Sequence, residues 1–198
     1  MKKIFVALLA VAVLAAPSFA KEKKAKDKGL TVKGGIGYGI LLSPDADSGG
    51  GLSLGAQVLS DKILDVKNLK VGGEIGYQQV ASYDIPGVPA IPPFFAGIAA
   101  DTIDVTAVPI LAIAEYDLSD SVKLGKGMSA FAQFGLGLSA VSFGDDSETD
   151  FTLMLGPGVR FDTGKDFDIE ATMKYYSIST SGDSSSMLNI GVAGVWQF

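Results

Sequence analysis

Apolar and polar residues alternate along most of the chain between Leu30 and Phe198. In the first such segment, the apolar residues share one parity: Leu30, Val32, Ile36, Tyr38 and Ile40. A period of two is typical of β-strands whose two faces meet different surroundings. Seven further segments show this alternation: 52–58, 69–78, 103–113, 130–138, 151–161, 167–175 and 188–198. The pattern therefore predicts eight strands, each long enough to cross a membrane when tilted.

The two parities differ in character, and this difference predicts which face lies outside. The polar parity is rich in glycine and carries isolated charges, whereas the apolar parity is aliphatic in the middle and aromatic near strand ends. Two aromatic girdles are predicted, one from Tyr38, Tyr77, Tyr83, Phe151 and Tyr175, the other from Phe161, Phe167, Trp196 and Phe198. Such girdles indicate a barrel with its apolar face towards lipid. The predicted fold is all-β, an eight-stranded antiparallel transmembrane up-and-down β-barrel.

The fourth segment has apolar residues on both parities, because Val108 and Ile110 interrupt its alternation. We assign its lipid-facing side to Ile103, Val105, Ala107, Leu111 and Ile113. This assignment places Asp104 on the inner face.

The chain divides into three parts by composition. Residues 1–20 have two early lysines, an apolar stretch over 4–16 and small residues before position 21, which predicts a cleaved signal peptide. Residues 21–29 form a lysine-rich tail without large apolar residues, expected to be solvated in the periplasm. Residues 30–198 are the predicted barrel domain.

An even number of strands places both ends of a barrel domain on one side of the membrane, predicted to be the periplasm. The periplasmic turns are then 61–68, 117–126 and 162–166. The external loops are predicted at 43–50, 84–100, 144–150 and 180–186. The second loop is the longest, as expected for the external side.

Composition excludes several kinds of chemistry. The 198 residues contain no cysteine and no histidine, which excludes thiolate metal sites, cysteine nucleophiles and histidine proton shuttles. A net charge of −6 disfavours nucleic acid as a partner. The sequence therefore predicts a protein that is not an enzyme and that uses no cofactor.

Charged residues on the predicted inner face form the first candidate site: Lys33, Glu74, Asp104, Arg160, Asp168, Glu170 and Lys174. Buried charges must be paired and hydrogen-bonded, so a mainly structural network filling the lumen is expected. Arg160 and Asp168 flank a predicted turn and should lie on facing strands, with Glu170 one step along. A catalytic or conducting site is the alternative interpretation.

Acidic loops offer a metal-binding interpretation. Residues 45–50 begin like a calcium loop, but Gly49 and Ala56 stand where ligands belong. A second cluster comprises Asp145, Asp146, Glu148 and Asp150. Solvated loops without a metal site are expected, with loose binding of divalent ions as the alternative.

The predicted loop 84–100 is apolar and contains four prolines. Phe94 and Phe95 at its centre need an apolar neighbour. They are expected to fold back on the rim and close the lumen, or to form an external contact site.

The C-terminal residues 190–198 resemble the assembly signal of Gram-negative outer-membrane proteins, with Trp196 and Phe198 as its aromatic positions. Residues 135–138 and 156–161 are similar to the fifth and sixth strands of small eight-stranded barrels of the opacity-protein and OmpX/Ail type, a porin-like outer-membrane β-barrel domain. This resemblance implies an outer-membrane location. It also implies contact with membrane lipid, lipopolysaccharide and the barrel-assembly machinery.

Members of that family adhere to surfaces, resist complement or bind ligands, so the resemblance implies fold and location more than activity. The sequence predicts a non-enzymatic outer-membrane barrel with a structural or adhesion-like surface role through its external loops. The alternative is a narrow porin-like channel for small or hydrophobic molecules. The sequence does not identify a host or surface ligand.

Overall fold

The computed structural model describes residues 29–42, 49–64, 66–85, 101–144, 146–179 and 184–198. Within these residues the chain forms eight strands: β1 (Leu30–Leu41), β2 (Gly50–Ser60), β3 (Leu69–Ile85), β4 (Asp101–Asp117), β5 (Met128–Phe143), β6 (Asp146–Phe161), β7 (Asp168–Ser179) and β8 (Ser184–Gln197). In this part of the chain, no helix is long and apolar enough to cross a membrane.

The strands close into an antiparallel barrel in which each strand pairs with the next and β1 pairs with β8. At the seam, the Leu30 amide donates to the Phe198 carbonyl over 3.2 Å, and the Phe198 amide donates to the Leu30 carbonyl over 2.9 Å. Closure leaves no open sheet edge, which matters in lipid because each unpaired backbone group there costs several kcal/mol. The predicted fold class is confirmed.

The alternation predicts the two faces correctly in seven strands. In β1, Thr31 and Lys33 are buried while Ile36 and Tyr38 are more than half exposed. In β8, Ile190 is also exposed on the outer face. An outer face composed of exposed apolar side chains is the surface that a lipid environment requires.

In β4 the predicted faces are wrong. Leu111 is 2% exposed and lies inside with Ala107 and Ile113, whereas Ile110 is 57% exposed. Glu115 shares the inner parity, and a carboxylate facing lipid would cost more than apolar residues facing the lumen. The same correction applies to Asp104, which is exposed and does not lie in the lumen.

The connections define two different ends of the barrel. We call the end with Leu30 and Phe198 the terminal end, and the opposite end the loop end. Turns at the terminal end lie where they were predicted, within about a residue. At the loop end, the predicted loop 144–150 is wrong because β5 runs to Phe143 and β6 begins at Asp146, around Gly144 with a positive φ of 58°.

Strands β3 to β6 are longer than β1, β2, β7 and β8. β7 ends at Ser179, which pairs with Phe151, but β6 continues beyond Phe151 to Asp146. This continuation remains paired with β5 throughout. The β5–β6 hairpin therefore projects past the end of β7.

We expect the cost of a charge on the outer face to depend on its depth in the membrane. Leu136→Arg, at an exposed position in the middle of β5, should lower the free energy of unfolding by about 2–4 kcal/mol. Met128→Arg lies on the same face at the strand end and should cost at most about 1 kcal/mol. Denaturant unfolding in lipid vesicles measures both, and equal losses would contradict the assigned lipid face.

Candidate functional site

Four charged side chains form a closed ring in the lumen. Lys33 of β1 and Arg160 of β6 alternate with Glu115 of β4 and Glu170 of β7. Each carboxylate uses one oxygen for each cation. Glu115 accepts a hydrogen bond from Arg160 Nη2 at Oε1 over 2.7 Å and from Lys33 Nζ at Oε2. Glu170 accepts from Lys33 Nζ at Oε2 over 2.8 Å and from Arg160 at Oε1. The ring is electrically neutral and its members are buried.

An aromatic ring from β5 lies against both cations of this ion ring. The Phe131 ring centroid is 4.8 Å from Lys33 Nζ and 5.3 Å from Arg160 Cζ, within the range of cation–π attraction. Phe131 pairs across the sheet with Gly158, where a Cβ atom would overlap the phenyl ring. This glycine leaves the space that Phe131 fills.

A chain of hydrogen bonds continues from the ion ring to a second charged group. Gln133 Nε2 donates to Glu115 Oε2 over 2.7 Å and to Gln57 Oε1 over 3.1 Å, and Gln57 Nε2 donates to Glu74 Oε2 over 2.6 Å. Glu74 also accepts from Lys174 Nζ over 2.7 Å and from the Tyr176 hydroxyl over 2.8 Å. We call these residues together with the ion ring the lumen network.

The lumen network connects side chains from seven of the eight strands, β1 to β7. Buried ion pairs gain little net stability because both charges lose water, but removing one partner leaves an uncompensated charge. The network therefore constrains which side chains can fill the barrel more than it adds free energy.

Five of the seven predicted inner charges belong to this network: Lys33, Glu74, Arg160, Glu170 and Lys174. Asp168 does not pair with Arg160, since Arg160 lies opposite Glu170 in the register. Asp168 instead lies at the start of β7, where Gln197 Nε2 donates to it over 3.3 Å. Asp168 and Arg160 thus lie on the facing strands β7 and β6, as expected, and Glu170, one step further along β7, is the residue directly opposite Arg160.

Sequence reasoning missed Glu115, which accepts from both cations of the ion ring. It was missed because the sequence assigned the two faces of β4 the wrong way round, which placed Glu115 on the side predicted to face lipid. The carboxylate itself was the available signal, because a charge within a membrane strand identifies the inner face more reliably than an isoleucine or leucine does.

A cavity of about 60 Å³, lined by both polar and apolar side chains, lies beside the lumen network. Its lining includes Gln57, Glu74, Lys174 and Gln78, whose Oε1 atom is buried without a hydrogen-bond partner. The volume suffices for a few water molecules, which normally satisfy such buried polar atoms.

Apolar side chains fill the lumen in addition to the network. A buried cluster includes Val80, Met154, Ile178 and Met187, and Leu41, Val105 and Val141 pack against it. Flexible methionine side chains fill irregular space between strands. Ion pairs and apolar side chains thus both occupy the interior of the barrel.

At the terminal end, Trp196 packs against Phe167 with ring centroids 6.3 Å apart, and Phe198 pairs with Leu30 at the seam. These contacts place both aromatic residues of the predicted assembly signal at the rim. Phe94 and Phe95 of the predicted contact loop lie outside the described residues.

An exposed ion pair connects two turns at the terminal end. Lys67 Nζ donates to Asp120 Oδ2 over 2.9 Å, and Asn68 Nδ2 donates to the same oxygen over 2.9 Å. This pairing raises the pKa of Lys67 and lowers the pKa of Asp120. Because water surrounds both groups, the pair adds little to stability.

The acidic residues do not form a shared ligand set in the described part of the chain. No three histidine, cysteine, aspartate or glutamate side chains there are arranged to hold a metal ion. Asp145 of the predicted acidic cluster lies outside the described residues.

Comparison of families places residues 6–198 within the model of the outer membrane protein beta-barrel domain. The chain belongs to this family. It is accordingly an outer-membrane protein, as its closed barrel and apolar outer face require. Comparison with curated proteins finds no match.

Solved structures of outer-membrane proteins are similar to this barrel at low sequence identity. Neisserial surface protein A is 15% identical, with a TM-score of 0.60 over 86% of this chain and 97% of its own. Ail of Yersinia pestis, bound to the heparin analogue sucrose octasulfate, is 14% identical, with a TM-score of 0.47 over 85% and 99%. PagL, an outer membrane enzyme, is 17% identical, with a TM-score of 0.46 over 85% and 99%.

Removing one charge from the ion ring should destabilise the barrel. Glu170→Gln leaves Lys33 and Arg160 with a single shared carboxylate, so we expect a loss of about 3–5 kcal/mol in unfolding free energy. Glu148→Gln, an exposed position of β6, should change it by less than about 0.5 kcal/mol. Denaturant unfolding in lipid vesicles compares the two, and similar small effects would show that the ring charges are solvated.

Proposed function

We propose that this protein is a non-enzymatic, non-conducting outer-membrane barrel that makes surface contacts through its loop end. The termini and the turns at the terminal end face the periplasm in this proposal, after removal of residues 1–20 as a signal peptide. Lipid and lipopolysaccharide surround the barrel, and the assembly machinery recognises the strand that ends at Trp196 and Phe198.

The filled lumen is the observation that carries the non-conducting role. Lys33, Glu115, Arg160 and Glu170 satisfy one another across the interior. An ion that passed between them would have to break pairs that are buried away from water. Apolar residues such as Met154 and Met187 occupy further lumen space, where a passing ion would find no polar ligand.

The engaged lumen groups also support a role without catalysis. Glu74, a candidate acid or base, already accepts hydrogen bonds from Gln57, Lys174 and Tyr176. A general base must reach a substrate proton, and these contacts engage both of its carboxylate oxygens within the barrel. Functional contacts are then expected at the loop end, including the apolar segment with Phe94 and Phe95.

A narrow channel is the second candidate, favoured by the cavity of about 60 Å³ within the barrel. The cavity lies beside Lys174 and Glu74, so a rearranged ion pair could widen it towards both ends. In this alternative, the lumen network is a gate and the cavity is part of the path.

Single-channel recording in planar lipid bilayers distinguishes the two candidates. The purified full-length mature protein should show no discrete conductance steps, because its lumen is filled by paired and packed side chains. A known porin reconstituted in the same bilayers controls for insertion and detection. Reproducible, ion-selective steps from this protein would contradict the closed barrel and favour the channel.

A further inference from the structure

The sequence segments that meet at the loop end of the barrel carry charge of one sign. These segments, 41–53, 78–107, 137–154 and 176–189, contain no lysine or arginine but ten acidic residues: Asp45, Asp47, Asp84, Asp101, Asp104, Asp145, Asp146, Glu148, Asp150 and Asp183. The basic residues of the barrel lie in the lumen or at the terminal end. Such a surface attracts cationic partners and repels anionic ones.

Three of these acids form a row on one face of the projecting β5–β6 hairpin. Asp146, Glu148 and Asp150 occupy alternate positions of β6, so neighbouring members are about 6.6 Å apart along the strand. Their partners on β5 are Phe143, Val141 and Ser139, respectively. We call these six residues the acidic row.

The innermost member of the acidic row is buried and incompletely satisfied. Asp150 is 6% exposed, and its Oδ2 atom has no hydrogen-bond partner. The adjacent Ser139 hydroxyl already accepts from the Thr152 hydroxyl over 2.7 Å. A buried carboxylate oxygen without a donor is costly, so this position calls for a cationic donor from outside the barrel.

We propose that the acidic row binds a lysine- or arginine-rich peptide segment in an extended conformation. Basic side chains at alternate positions of such a segment repeat at the same spacing as the carboxylates. The innermost would pair with Asp150, while the next two reach Glu148 and Asp146. The half-exposed Phe143 contacts the aliphatic stem and the cationic group of the outermost side chain.

The arrangement favours a peptide over a single metal ion. The described residues contain no group of three acidic ligands that converge on one point, and the carboxylates of the row succeed one another along a strand. The inference rests on the proposed function in that the loop end must face the cell exterior, where such a partner has access.

Isothermal titration of the full mature protein in zwitterionic nanodiscs tests this proposal. The probe is a synthetic six-residue peptide of alternating lysine and threonine. We expect saturable binding that weakens with salt. The triple variant Asp146→Asn/Glu148→Gln/Asp150→Asn should lose at least about tenfold in affinity, since one of its pairs is buried.

A matched variant removes three charges from the terminal end: Asp61→Asn/Asp162→Asn/Asp166→Asn. Its affinity for the peptide should stay within about twofold of the unaltered protein, because exposed charges far from the peptide contribute little. Equal loss in both triple variants, or in neither, would overturn the proposal. Calcium chloride alone provides a further arm. Saturable calcium binding that is lost in the Asp146/Glu148/Asp150 variant would assign the row to a metal ion instead.

Asp150→Asn alone separates binding from a structural role. It should leave the unfolding midpoint unchanged or raise it, because it removes a buried charge without a partner, while the peptide binds more weakly. A lower midpoint would show that Asp150 is a structural residue and would overturn the proposal. If the protein conducts ions but still binds the peptide, only the proposed closed barrel is contradicted. If the protein conducts no ions and does not bind the peptide, only this inference is contradicted.

Discussion

An eight-stranded barrel has an interior just wide enough for side chains, and this width constrains every inward position of the chain. A charged group inside must find its partner on another strand, since no bulk water solvates it. The ion ring of Lys33, Glu115, Arg160 and Glu170 satisfies this requirement with one carboxylate oxygen for each contact. Phe131 fits beside the ring because Gly158 opposite has no side chain.

The narrow lumen also separates the part of the molecule that holds the barrel together from the part proposed to bind a partner. Side chains from seven strands meet in the lumen network, so the interior is committed to holding the barrel together. In the projecting β5–β6 hairpin, by contrast, Asp150 keeps a carboxylate oxygen without a hydrogen-bond donor. Buried groups that weaken the folded state are typical of sites that bind something else.

The sequence was sufficient to predict strand number, closure and the lipid face of seven strands, because a membrane barrel enforces a strict period of two. It failed in β4, where Leu111 and Ile110 on opposite faces are both apolar and only Glu115 reveals the inner side. Alternation also placed Arg160 and Asp168 on facing strands, but it could not predict the individual lumen contacts. The register between β6 and β7, which alternation does not report, places Glu170 directly opposite Arg160.

Predicted loop boundaries failed for a related reason. Residues 146–150 are polar on both faces, which resembles a solvated loop, but they continue a strand because β5 pairs with them. Strand pairing needs only backbone hydrogen bonds, so a strand can continue through residues that do not alternate. Pairing between neighbours, which alternation does not report, determines how far each strand extends.

A double-mutant cycle between Lys33 and Glu115 tests most directly whether the lumen charges act as one paired network. Unfolding free energies are measured in lipid vesicles for Lys33→Met, Glu115→Gln and the double variant. Each single substitution should cost about 3–5 kcal/mol, because it leaves a buried charge uncompensated. The double variant should cost about 2 kcal/mol less than their sum, and agreement with the sum within about 0.5 kcal/mol would contradict a paired network.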